Sequence, residues 1–272
     1  MTLSTVSQNQ TREGRRIAQL FRQSRGLRDI RTCDLEAIVA EDDINVAEIS
    51  LADPGFTACL LREPNSTPGI FLAPGQDIGR RRFSIAHELG HFHIPRHQTI
   101  GAGLHCSDAD LNVGLNDKKR TEWEANDFAA ELLMPERLFS ADASRYAASF
   151  ESAIKLAGTD MYNVSITAAA LRIVQTSRAK CCLVSASRGR INWIARSSAC
   201  PYILHGPGDP IPRQSAIAGV MRGEDSLTSQ IDVDPNAWVD SRNADYYEVY
   251  ESTHCIPTLD QILTLIELVD SR

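Results

Sequence analysis

Residues 83–97 read FSIAHELGHFHIPRH, and the reading of this stretch governs the reading of the rest of the chain. His87 and His91 are four positions apart with Glu88 directly after the first, so on a helix both imidazoles share one face, about 40° apart around the axis. Such a pair offers two neighbouring positions on one metal ion. A catalytic zinc takes three protein ligands and keeps a further position for water, whose pKa it lowers toward neutrality. Glu88 follows a ligand but is turned off the metal by the helix, which suits it to take a proton from that water and pass it to a leaving amine. HExxH on a helix is a strong signal when strands precede it and a third ligand follows, and it displaces the alternative of a surface helix with incidental histidines.

Three residues compete to be the third ligand. His97 lies ten positions after His87, the last place of the extended HExxHxxGxxH pattern, but Ile94 and Pro95 stand where that pattern needs a glycine to leave the helix sharply. The segment 122–133, EWEANDFAAELL, is helical by composition and period, with Pro135 marking its end. On a helical wheel Glu122, Ala125, Asn126, Ala129 and Leu133 share a face, and Glu124, Asp127 and Glu131 fall on the other. Glu122 therefore points inward, where a carboxylate needs a strong partner such as a metal ion. It is the favoured ligand, with His97 and Glu124 as its rivals. Asn126, one turn on, is placed to hold a ligand histidine in its tautomer.

Composition frames this reading. The chain has 272 residues, a mass of 30.0 kDa, 43% hydrophobic residues and a mean hydropathy of −0.23, as an ordinary water-soluble protein would. No apolar run approaches the roughly 18 residues that span a bilayer, and the first residues lack the apolar region of a secretory signal, so the expected location is the cytoplasm. Seven cysteines without C-x-x-C spacing read as reduced thiols. A net charge of −7 argues against direct nucleic-acid binding, which needs clustered Lys and Arg.

Ile17, Leu20 and Phe21 mark an amphipathic helix from Arg12 to about Gly26, and Asp34 is placed to cap a second short helix. INVAEISL, FTACLLR and GIFLA, separated by turn clusters, read as a small antiparallel sheet before the histidine helix. GIFLA, just before that helix, is a candidate edge for an extended substrate. Further helices are expected from about Glu151 and after Ser165. KCCLVSAS and RINWIARS flank an RG turn, and YYEVYES reads as a later strand. The expected organisation is an N-terminal helical segment (1–33), a metallopeptidase domain (34–145), a helical segment (146–177) and a smaller α+β domain (178–272) of sensory or docking role. Tyr146 and Tyr162 are candidates to stabilise an oxyanion. His93 and the His105–Cys106 pair lack a metal-binding set and read as structural.

RRRFSIAHELGH (80–91), followed about thirty residues later by EWEANDFAAELLMP (122–135), resembles the ImmA/IrrE family of metallopeptidases. The resemblance covers roughly residues 34–140. It implies an α+β, zincin-like domain in which His87, His91 and Glu122 bind Zn2+ and Glu88 is the catalytic base. Members of the family act in the cytoplasm on helix-turn-helix repressors, cutting them to switch on genes, often in stress responses. The implied activity is thus a zinc endopeptidase with a repressor as substrate, and the competing class is a metal-stabilised regulatory or binding protein that does not cut.

Overall fold

The computed structural model describes residues 12–51, 53, 55–99, 104–107, 117–201 and 203–271. It is a mixed α+β structure whose chain divides into two compact units. Among the described residues, one holds 12–135 together with 159–165, and the other holds 136–158 and the residues from Ile166 on.

The first unit carries the histidine helix. Its elements are α1 (Arg12–Ser24), α2 (Leu35–Glu41), β1 (Asn45–Glu48), β2 (Phe56–Leu61), β3 (Gly69–Leu72), α3 (Ile78–His93), a 3-10 turn (Pro95–Thr99), β4 (Leu104–Ser107) and α4 (Asp117–Leu133). Asp34 caps α2 by accepting from the Ala37 amide at 3.1 Å, and Asp77 caps α3 by accepting from Arg80 N at 2.9 Å. The strands run in the order β1-β3-β2-β4.

Two expectations about this sheet need correction. β2 pairs antiparallel with β3 and β4, but β1 pairs parallel with β3, Asn45 opposite Gly69. The chain crosses from β1 to β2 before returning as β3, so β3 inserts between its predecessors. Alternation identifies a strand but carries no direction of pairing. The same insertion makes GIFL an interior strand with both edges hydrogen-bonded, so it offers no free edge to a substrate.

Helix α3 buries Ile85 and Leu89 against the sheet residues Ile70 and Leu72, and α4 adds Phe128 and Leu132, none more than 1% exposed. The other face of α4 departs from expectation: Glu124 and Glu131 are buried, because α1 packs along that face. Gln19 Nε2 donates to Glu131 Oε1 at 3.1 Å, and the buried Arg22 guanidinium donates to the Leu132 carbonyl at 2.5 Å, satisfying a terminal helix carbonyl. The small residues Gly14 and Ala18, one turn apart and followed by Phe21, form the contact stripe of α1. A Cβ at Gly14 would collide with the Glu124 backbone carbonyl.

The second unit comprises α5 (Glu136–Ala143), α6 (Phe150–Ala157), α7 (Ile166–Thr176), β5 (Lys180–Ser187), β6 (Arg190–Arg196), α8 (Ala216–Met221), β7 (Ile231–Val233), β8 (Tyr247–Ile256) and β9 (Gln261–Asp270). Its five-stranded sheet has the order β6-β5-β9-β8-β7, with every pairing antiparallel. The β5–β6 hairpin turns through Arg188 (φ 49°) and Gly189 (φ 78°), both in the left-handed region that a tight two-residue turn demands. Trp238 lies at the core of this unit and donates through Nε1 to the buried Glu251 at 2.5 Å.

Replacing Gly14 by valine forces α1 off α4 and should cost about 1–3 kcal/mol, the usual range for overpacking. Urea unfolding would read this as a lower midpoint with an unchanged slope, and an unaltered midpoint would mean that α1 does not depend on this close approach.

Candidate metal centre

Helices α3 and α4 meet at Gly90. A Cβ there would lie 3.0 Å from Ala125 Cα and 3.2 Å from its carbonyl oxygen, so the glycine of HELGH sets how closely the two helices approach. One turn before Ala125, that approach brings Glu122 to the two histidines. His87 Nε2 lies 3.2 Å from Glu122 Oε2 and 3.1 Å from His91 Nε2, and His91 Nε2 lies 3.5 Å from Glu122 Oε1. All three side chains are buried, with Glu122 4% exposed, as its inward position on the wheel requires.

The donor set fits a tetrahedral zinc ion. Bonds of about 2.0–2.1 Å to nitrogen and oxygen place neighbouring ligands about 3.3 Å apart, within a few tenths of an ångström of the three separations here. The charges agree. Burial alone would raise the Glu122 carboxyl, but hydrogen bonds to His87 and His91 outweigh it and hold the group well below the carboxylate range. Burial pulls His87 down, yet its hydrogen bond to Glu122 and the nearby charges of Glu88 and Glu122 prevail and lift it above the ordinary imidazole value. The cluster thus attracts positive charge to the His87 Nε2 lone pair, which a proton or a metal cation can supply. Asn126 lies behind this ring, its Oδ1 2.9 Å from Nδ1; an amide oxygen only accepts, so Nδ1 carries the hydrogen and Nε2 is left bare in the neutral ring.

Glu88 is fully buried on α3. It lies near enough to Cys59 on β2 that its charge adds to the effect of burial in pushing that thiol up to about 11. Of the rivals for third ligand, His97 and Glu124 are turned to each other, with His97 Nε2 3.1 Å from Glu124 Oε2. His97 presents Nδ1 to the far side of His91, 3.1 Å from its Nδ1. Burial, and then the positive charge of His91 and Arg96, pull His97 down to about 3. His93 is hydrogen-bonded to Asp42 Oδ2 at 2.8 Å and stacks on Phe128, away from the cluster. Tyr162 is fully buried, while the half-exposed Tyr146 belongs to the second unit, with the Lys155 ammonium 5.2 Å from its ring centre. The side chains of His105 and Cys106 lie outside the described residues.

Among the described residues, His87, His91 and Glu122 form a group of three with ligand atoms within 4.8 Å of one another. Two histidines from one helix and a carboxylate from the next define a candidate metal centre of the kind hydrolases use. Residues 42–174 match Peptidase_M78, the IrrE N-terminal-like domain. The fold is similar to that of a Mycobacterium tuberculosis transcriptional regulator, at 17% identity and a TM-score of 0.57 over 94% of this chain and 87% of that one. The comparison with curated proteins returns no match.

The helix contact and the site are coupled, which a Gly90→Val variant probes: widening the α3–α4 gap should weaken zinc binding at least tenfold in a chelator competition, beyond any loss of stability. Unchanged affinity would detach the site from the contact. Acidification should also release the metal, since protons compete for the same imidazole nitrogens, and the zinc retained after dialysis at falling pH would show it.

Proposed function

We propose that the protein is a zinc-dependent endopeptidase that cuts a specific cytoplasmic protein, a helix-turn-helix transcriptional repressor, so that the genes it holds down are expressed. The convergence of His87, His91 and Glu122 within a Peptidase_M78 domain carries this reading. Zinc held there would act as a Lewis acid and bring a water molecule's pKa toward neutrality. Glu88, on the same helix as both histidines, is the general base: one carboxylate oxygen accepts the proton of the attacking water and delivers it to the amine nitrogen of the departing peptide. Asn126 keeps His87 in the tautomer that leaves Nε2 free.

A role in transcription is in keeping with the likeness to a transcriptional regulator, and a narrow substrate range follows from the risk that an unrestrained peptidase poses inside a cell. Among the described residues no helix is long and apolar enough to cross a membrane. The 178–272 region is the proposed docking or sensing part.

Glu88→Gln tests the mechanism. The amide keeps the shape of the side chain and leaves the ligand set intact, so zinc content and folding should persist while cleavage falls by several orders of magnitude. The substrate for the assay is a small helix-turn-helix protein encoded beside this gene. Cleavage by the variant at the unmutated rate would remove Glu88 from the chemistry. Capture of the intact repressor by both forms would mark a binding protein that does not cut, and efficient digestion of unrelated unfolded proteins with the repressor left whole would mark a general peptidase.

A further inference from the structure

We infer that, given the metal centre above, His97 and Glu124 are a positioning pair that fixes the tautomer of His91 and aims its Nε2 lone pair into the site. Glu124 is fully buried, and its oxygens can only accept. One of them, Oε1, meets the guanidinium of Arg96 and, at 3.4 Å, Nε of Arg120. The other, Oε2, lies 3.1 Å from His97 Nε2, which therefore carries the hydrogen. The neutral His97 ring then has a bare Nδ1. That atom lies 3.1 Å from His91 Nδ1, and two ring nitrogens at this distance need one hydrogen between them, which His91 supplies. His91 is thereby left with an unprotonated Nε2, the atom 3.1 Å from His87 Nε2.

The backbone explains why His97 reaches the back of His91 and not its front. Ile94 ends α3 in an extended conformation (φ −78°, ψ 114°), and Pro95 starts a 3-10 turn in which the His97 amide donates to the Ile94 carbonyl at 3.0 Å. Without a left-handed residue at 94 the chain folds back beside the helix, and the imidazole comes to rest against Nδ1 of His91. The two ligand histidines are thus oriented by different devices, His87 by the Asn126 amide and His91 by a histidine backed by a carboxylate. Removing such outer partners typically costs ten- to a hundredfold in metal affinity.

The test measures zinc by chelator competition and elemental analysis, and the ligand field by the visible spectrum of the cobalt-substituted protein. His97→Phe keeps a buried ring without an acceptor, and His97→Gln restores an acceptor oxygen within reach of His91. The expected result is one metal per chain in all forms, with zinc about ten- to a hundredfold weaker and cobalt bands shifted in His97→Phe, and both largely recovered in His97→Gln. Should His97→Phe fail to fold, His97→Asn, whose amide stops short of His91, takes its place with the same expectation. Wild-type affinity and spectrum in the variant without an acceptor would overturn the inference. So would equal losses in His97→Gln, which would mean that His97 serves packing alone, or a complete loss of metal from every His97 variant, which would make it a ligand. An unmutated protein that binds no zinc would overturn the metal centre itself, and is distinguishable because it needs no variant to be seen.

Discussion

The close approach of α3 to α4 at Gly90 is the constraint on which the site depends. Two bare imidazole nitrogens and a carboxylate, all buried and within 3.5 Å of one another, repel unless a positive charge lies among them. The packing of Ile85, Leu89, Phe128 and Leu132 supplies the apolar contact that holds the helices together despite that repulsion. An apolar core contact thus maintains a cluster that is unfavourable without a positive charge among its members. Such opposition between stability and chemistry is common where function is built into a fold.

Burial extends outward from the ligands in layers. Glu124, with Arg96 and Arg120 around it, is covered by α1, whose Gly14 allows the helix to sit directly on the α4 backbone. The N-terminal helix therefore does more than cap the body: it keeps water from a carboxylate that meets the back of the site through His97. Glu88 is buried as well, and its charge is felt both by His87 in the cluster and by Cys59 on β2. The 100° step between successive residues turns Glu88 off the line of the two histidines on the same helix.

Much of this was legible in the sequence because it is local. The HELGH spacing, the caps at Asp34 and the helix ending near Pro135 depend on residues within a turn or two of each other, and the wheel that turned Glu122 inward needed only the apolar positions of its own helix. The same wheel turned Glu124 and Glu131 outward, and there it failed, since a helix wheel records one buried face and cannot know that a second helix covers the other. The stripe of Gly14, Ala18 and Phe21 was the available signal. Likewise, short apolar runs disclosed the strands, but neither the parallel pairing of β1 with β3 nor the interior position of GIFL, because strand order is set by contacts far apart in the chain. Spacing alone offers His97 as a ligand, whereas its position depends on the turn after Ile94.

In the proposed enzyme two imidazoles and one carboxylate hold a single zinc ion. X-ray absorption at the zinc edge of the loaded protein tests it directly. The expected spectrum shows only nitrogen and oxygen neighbours at about 2.0–2.1 Å, with the outer scattering of two imidazole rings and no more. Scattering from a third ring, or a sulfur neighbour at about 2.3 Å, would contradict it.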